Sequence, residues 1–466
     1  MHILCYGKVR YNYFPVIKMR VFFYEFIENG ENTFMDNFEV NAELSDKNYY
    51  KKVYQRFAKQ LSDWYCNGKT PDLASEDTRF ALKLQKEKLH SLGLDMQIEF
   101  KKPTVKEDGV ALISYGDHVF ENSIVGGFKR ITTNISNSGQ KIYCRDCDGG
   151  LSVVMQNPKK GNVPPPDTAM CCPHCGAPST LGKLESGCEF CDTKFLMDEL
   201  YPKVMHVFVK DDSVELYDTK LLKKLIVIIS LCFVLLLGVS EFVKLKLGMS
   251  RWPEGTFERV FMMGEFILAA VMLGAIIGGS SWFIYNIVCS ISMMGKQLRG
   301  ASKTGKSLVF CHKMNNLDPT FSTEYFRDKS MSLLKLMIYS QNPQELTICQ
   351  CKKPVPEKFR EIIDITYHNS GVNKYSIRDG VCDVSLTFYT DSLHYHNGQI
   401  LRKSDKIRMS MRKVIKKPTD LGFSVTAVSC PSCGGSFDAE KVRKCPFCGN
   451  DYPLEENEWV VTDIGI

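Results

Sequence analysis

Thr168-Ala-Met-Cys-Cys-Pro-His-Cys-Gly176 and Thr426-Ala-Val-Ser-Cys-Pro-Ser-Cys-Gly434 echo each other within one chain, identical at six of nine positions. Each opens a cysteine pattern that closes a short distance downstream. Cys172, Cys175, Cys188 and Cys191 follow C-x2-C-x12-C-x2-C, and Cys430, Cys433, Cys445 and Cys448 follow C-x2-C-x11-C-x2-C. A C-x2-C pair places two thiolates on one tight knuckle, and Pro173, Gly176, Pro431, Gly434, Pro446 and Gly449 are the residue types that let such a turn form. Two knuckles supply four sulfurs, the donor set of a structural zinc ion. A closed four-sulfur shell leaves no position for water, so two structural zinc ions are expected to staple the fold without performing chemistry. Ligation by thiolates also points to a reducing compartment.

The repetition extends outward from the cysteines. Val40 to Ser45 and Leu317 to Ser322 each precede a helical pattern, with Ser45 and Ser322 expected as N-caps. Val53, Phe57, Leu61 and Trp64 mark the buried face of the first helix, and Phe326, Leu333, Leu334 and Met337 that of the second. A further helix is expected over Asp77 to Leu92, matched by Pro356 to Tyr367. Strand alternation follows, as in Val381 to Tyr389, with Asn397-Gly398 marking a hairpin turn. Residues 37–215 and 312–466 are thus read as two related arms. Residues 1–36 have no counterpart and no uninterrupted apolar core, and are read as an N-terminal extension, with Met35 an alternative start.

Between the arms the composition changes. The mean hydropathy of −0.16 conceals residues 225–240, which carry no charge, and the thirty uncharged residues from Phe266 to Gly295. Nineteen helical residues rise roughly 28 Å, close to the hydrocarbon thickness of a bilayer, so a transmembrane hairpin over 221–295 is expected, with spans at about 225–243 and 266–289. Trp282 and Tyr285 suit an interfacial position, and Gly274-x-x-x-Gly278 would let two helix backbones approach. Lysines on both outer flanks favour both arms on the cytoplasmic face of the inner membrane, against four cations in the short connecting loop.

Nineteen cysteines in 466 residues fall well short of the roughly 8–10% of a disulfide scaffold. The net charge of +6 is mild, and neither cysteine ribbon carries an excess of Lys and Arg, so no nucleic-acid partner is expected. Gly300 to Ser307 satisfies the phosphate-loop pattern G-x4-G-K-[ST], but a membrane helix precedes it where that loop needs a strand. Cys144 and Cys147 are read as reduced thiols on a strand, with a third metal site or a redox dithiol as alternatives. From Arg402 to Lys417 there are eight basic residues and one acid. Alternation places Lys406, Arg408 and Arg412 on one face, as a solvated surface or as candidate lipid contacts beside a membrane.

The run Leu317 to Phe326, the following helices and sheet, Cys430 to Cys448 and a closing strand Glu458 to Thr462 resemble bacterial proteins of the translocase-of-inner-membrane forty-four-like domain family that carry an embedded zinc ribbon. The first arm resembles them more loosely, with Asn41-Ala42 in place of Asp318-Pro319 and a closing strand near Val204 to Val209. The resemblance implies an α+β fold of two cone-shaped, nuclear-transport-factor-two-like domains, helices laid across a curved antiparallel sheet. The basic membrane-binding helices that precede the mitochondrial domain have no match here, so the import-motor role is not carried over.

The expectation is a non-enzymatic, zinc-stapled membrane protein that presents its arms to the bilayer and to a protein or lipid partner. The alternative is an enzyme with a small-molecule pocket in a cone, which a cluster of buried Asp, His or Tyr would favour.

Overall fold

The computed structural model describes residues 44–103, 110–117, 119–159, 164–196, 200–213, 219–248, 255–298, 303–415, 423, 425 and 427–466. The extension at 1–36, Met35 and the segment before Leu44 lie outside them. Lys51–Ile466 pack as one unit.

The N-terminal half runs α1 (Leu44–Asn67), α2 (Glu76–Ser91), β1 (Leu94–Lys101), β2 (Val110–Gly116), β3 (Phe120–Asn137), β4 (Gln140–Pro158), the ribbon strands β5 (Ala169–Cys171) and β6 (Pro178–Thr180), α3 (Leu181–Ser186) and β7 (Lys203–Ser213). Two long apolar helices follow, α4 (Thr219–Lys246) and α5 (Thr256–Leu298), then α6 (Thr304–Leu317) and α7 (Thr323–Tyr339). The C-terminal half continues with α8 (Lys358–Glu361), β8 (Ile362–Arg378), β9 (Val381–His396), β10 (Gln399–Val414), the ribbon strands β11 (Val428–Ser429) and β12 (Ser436–Phe437), α9 (Leu454–Asn457) and β13 (Val460–Gly465).

The α+β class is as expected, and the sheet is larger than either arm alone suggests. Nine strands form one mixed sheet in the order β1-β3-β4-β7-β8-β9-β10-β13, with β2 paired to β3. Each half runs from helices into antiparallel strands, four in the first (β1–β4) and three in the second (β8–β10), then an inserted ribbon and a closing strand. The halves meet where β7 and β8 run parallel, at Lys210 and Tyr367. Three two-residue turns fix the long hairpins, and all use paired positive φ: Ser138-Gly139, Asp379-Gly380 and Asn397-Gly398. Such turns match the twist of the flanking strands.

Two helix expectations need correction. Ser322 caps α7 by accepting from the Tyr325 amide at 3.2 Å, but Ser45 lies inside α1. The helix expected over Pro356 to Tyr367 is confined to α8, and Ile362 onward is strand. Ile363, Ile365 and Tyr367 are buried in alternation, and β-branched and aromatic side chains at period two suit a pleated surface better than a helix. By contrast α2 follows its expected bounds within a residue, with Ser75 as its cap.

α4 and α5 are each long and apolar enough to cross a membrane, and only 6% and 11% of their most apolar stretches are buried. A core helix of a soluble protein would be covered, whereas here Leu235 and Val260 are each 69% exposed. The helices pair antiparallel through the expected small residues. A Cβ on Gly274 would lie 2.8 Å from the Ser230 backbone, and one on Gly278 would lie 3.1 Å from that of Ile226. Close backbone approach at a Gly-x3-Gly seam is the usual means of gaining van der Waals contact where no hydrophobic effect drives association.

Candidate metal centres

Both cysteine sets converge. In each, the four Sγ atoms lie within 4.8 Å of one another. Cys172 is 3.7 Å from Cys191 and Cys175 is 3.7 Å from Cys188. Cys430 is 3.6 Å from Cys448 and Cys433 is 3.6 Å from Cys445. A tetrahedral ion bonded to sulfur at about 2.3 Å requires sulfur–sulfur edges of roughly 3.8 Å, so the residues present fit such an ion.

The knuckles explain why these sequences make the geometry. The amide of the residue four past the leading cysteine bonds back to that cysteine's carbonyl: Gly176 to Cys172, Asp192 to Cys188, Gly434 to Cys430 and Gly449 to Cys445, each at 2.8 or 2.9 Å. That turn ends with φ between 55° and 76° at all four positions, a region glycine enters freely and Asp tolerates. The first ribbon's second knuckle therefore uses Asp192 where the other three use glycine.

Electrostatics also call for a cation. Burial pushes the Cys172 thiol up to about 12, while hydrogen bonding from Thr193 brings Cys191 down to about 5. Four neighbouring thiolates repel, and a divalent ion removes that conflict. Cys172, Cys188, Cys430 and Cys445 are buried in the main core beside Leu181, Leu184, Val428 and Phe437, while Cys175, Cys433 and Cys448 are exposed. Each site thus ties a surface loop to the core. The ribbons also touch each other through β6 and β12.

Cys144 and Cys147 both lie on β4, three residues apart and hence on opposite faces. They join no metal-holding group among the described residues. Along β10 the apolar Ile407, Met409 and Met411 are fully buried, while the basic Lys406, Arg408 and Arg412 are exposed. Arg412 is held by Asp383 through two contacts of 2.8 and 3.2 Å.

Sequence reading missed a cavity of about 50 Å³ between the halves, whose largely apolar lining includes the polar Tyr65, Gln85, His206, Lys335, Tyr339 and Asp364. Tyr65 donates to Gln85 at 2.8 Å, Gln85 donates to Asp364 at 3.1 Å, and Tyr339 donates to Asp364 at 2.9 Å. The Lys335 ammonium donates to the Val207 carbonyl. Beside the cavity, buried Lys88 donates to the Ile338 and Phe359 carbonyls at 2.6 and 2.9 Å. Burial lowers Lys88 to about 7, and burial with Lys329 and Lys335 nearby lowers His206 to about 3. These groups sit far apart in the chain, and no local spacing announces them.

Compared with known proteins, the chain matches no family model, no curated sequence and no solved structure.

Proposed function

We propose that this chain is an integral membrane protein of the scaffold or binding class, anchored by the α4–α5 hairpin, with two zinc-stapled halves held on one side of the bilayer. The observation that carries the reading is the hairpin: two helices with bare apolar flanks, locked to each other by Gly274 and Gly278. Bare apolar surface of that extent is costly in water and at home in lipid. A hairpin returns the chain to its starting side, so both halves share one aqueous compartment. Thiolate ligands favour a reducing compartment, the cytoplasmic face of an inner membrane.

Zinc is the proposed ion at both four-cysteine sites, since four thiolates in a closed tetrahedron suit it and leave no open coordination position. The likeness to the translocase-of-inner-membrane forty-four-like family, with one cone-shaped domain per half and the hairpin linking them, belongs to the same proposal. In this reading the halves present a surface to a partner and do no chemistry.

The enzyme reading has the inter-half cavity in its favour. Two features weigh against it. About 50 Å³ is room for a water or two, as an engineered cavity of about 150 Å³ is what holds benzene. The polar groups also satisfy one another across the seam, with Gln85 and Tyr339 both spent on Asp364. We therefore assign the cluster to holding the halves together.

The test is extraction. After alkaline carbonate washing the chain should remain in the membrane pellet, and a deletion of 219–298 should move it to the supernatant. Release of the full chain by carbonate would refute the anchor.

A further inference from the structure

The stretch that leaves α5 carries Lys296, Arg299, Lys303, Lys306 and Lys313, with no carboxylate before Asp318. The structure lays its helical part, α6, along β8 beyond the point where β8 pairs with β7. The Val372 amide donates to Ser307 Oγ at 3.0 Å, and Lys306 Nζ donates to the Asn373 carbonyl at 3.3 Å. The approach is close enough that a Cβ on Gly371 would meet Lys303 Cβ at 2.8 Å. This placement carries Lys303 over the sheet, with its ammonium 5.7 Å from the centre of the Tyr389 ring.

Tyr389 is the cross-strand partner of Lys406, and the neighbouring Thr387 is that of Arg408. Directly paired residues share a face, so Lys303, Lys406 and Arg408 gather on one surface with Lys306 beside them. Burial, then the repulsion of Lys406, Arg408 and Lys306, lowers the Lys303 pKa. Two other cations of the strand have carboxylate partners: Arg412 meets Asp383 and Arg402 meets Asp391, both at 2.8 Å. Lys406 and Arg408 oppose a phenol and a hydroxyl and are exposed. Among the described residues, Lys406 and Arg408 have no ion pair on the β10 face that Arg402 and Arg412 share, and their place adjoins α6.

Two more observations select the occupant. Lys303 follows the end of α5 by five residues, a tether of at most roughly 17 Å, so a leaflet crossed by α5 is the nearest anionic surface. Leu308 and Val309, 47% and 52% exposed, stand among the cations on α6. A groove of about 370 Å³ beside them is lined by Lys306, Lys374, Val309 and Tyr375. Cations interleaved with exposed aliphatic side chains suit the headgroup and upper acyl region of a bilayer.

We propose that Lys303, Lys306, Lys406 and Arg408 form a docking surface for anionic phospholipid, in the same leaflet from which α5 emerges. The proposal rests on reading α4 and α5 as membrane helices. It brings the C-terminal half of the sheet down onto the headgroups and sets its orientation against the bilayer.

The test uses the full chain in nanodiscs containing phosphatidylcholine with or without phosphatidylglycerol, reading by mass spectrometry which lipid stays bound after mild solubilisation. The wild-type chain should retain phosphatidylglycerol preferentially. Lys406→Gln with Arg408→Gln should lose roughly 30-fold of that preference, as expected for two juxtamembrane cations. Arg412→Gln, whose cation is already paired, should keep it. Lys303→Gln with Lys306→Gln provides a second variant on another element, in case the first fails to hold its metal. A chain that enters the discs and shows no preference overturns the proposal while leaving the anchor standing, as does an equal loss in Arg412→Gln. A chain that fails to enter the discs overturns the anchor and the proposal together.

Discussion

Replacing Gly274 by alanine should force α4 and α5 apart, and the size of the effect follows from the seam. The new methyl would sit 2.0 Å from Ser230 Oγ and 2.8 Å from the Ser230 Cα and amide nitrogen. The hydroxyl can rotate away, but the backbone cannot. Restoring a carbon contact of about 3.5 Å requires a separation near 0.7 Å, which forfeits a quarter to a half of each dispersion contact along the seam. Overpacking of this kind costs about 1–3 kcal/mol. At Gly278 the nearest backbone atoms stand at 3.1 Å, so alanine there needs a shift of only a few tenths of an ångström and should cost under about 1 kcal/mol. Gly264 and Gly279 have no neighbour within 4 Å of an added Cβ, and alanine at either should be neutral or slightly stabilising through helix propensity. Denaturation of the full chain by SDS in mixed micelles gives the four values side by side. The order Gly274 well above Gly278, with Gly264 and Gly279 near zero, is the expectation. Equal costs at Gly274 and Gly279 would refute the packing of α4 on α5.

Three further outcomes are expected. Cys430→Ser with Cys433→Ser should halve the zinc content and unfold the second ribbon, exposing Phe437 and Tyr452, whose rings meet edge to face at 5.7 Å; limited proteolysis between residues 428 and 452 reads this out. Glu458→Ala removes the 2.8 Å ion-pair partner of buried Lys329 and the acceptor of Tyr325 at 3.1 Å, and breaking that buried pair should cost about 3 kcal/mol in chemical denaturation, Asp77 and Glu440 still attracting the ammonium. Lys88 gives a pH signature: its folded pKa of about 7 lies below the unfolded value, so between roughly pH 7 and 10 the unfolded chain holds the extra proton and stability rises with pH by up to about 1.4 kcal/mol per unit. Lys88→Met should flatten that slope, and a slope unchanged in the variant would show that Lys88 does not titrate in the seam.

The parts of the molecule legible in the sequence are those specified locally. The cysteine knuckles, the apolar helices, the Gly-x3-Gly seam and the Asn397-Gly398 turn are each fixed by a few adjacent residues. The Ser138-Gly139 and Asp379-Gly380 turns use the same conformation and were open to the same reading. Ile362 to Tyr367 shows how repetition misleads: the first half places a helix at the corresponding point, while this segment's own isoleucines alternate as a strand. The parallel meeting of β7 and β8 and the Tyr65–Gln85–Asp364–Tyr339 network join residues far apart in the chain, and such contacts are chosen by tertiary packing that no window of sequence contains. The basic strand was legible as a pattern, but only the fold separates Arg412, spent on Asp383, from Lys406 and Arg408.

Membrane anchoring and the two zinc staples meet in a single measurement. The detergent-solubilised fraction of washed membranes should yield the full chain with zinc at two equivalents per chain, one for each four-cysteine site. A chain absent from that fraction, or present there folded and without zinc, would contradict the account.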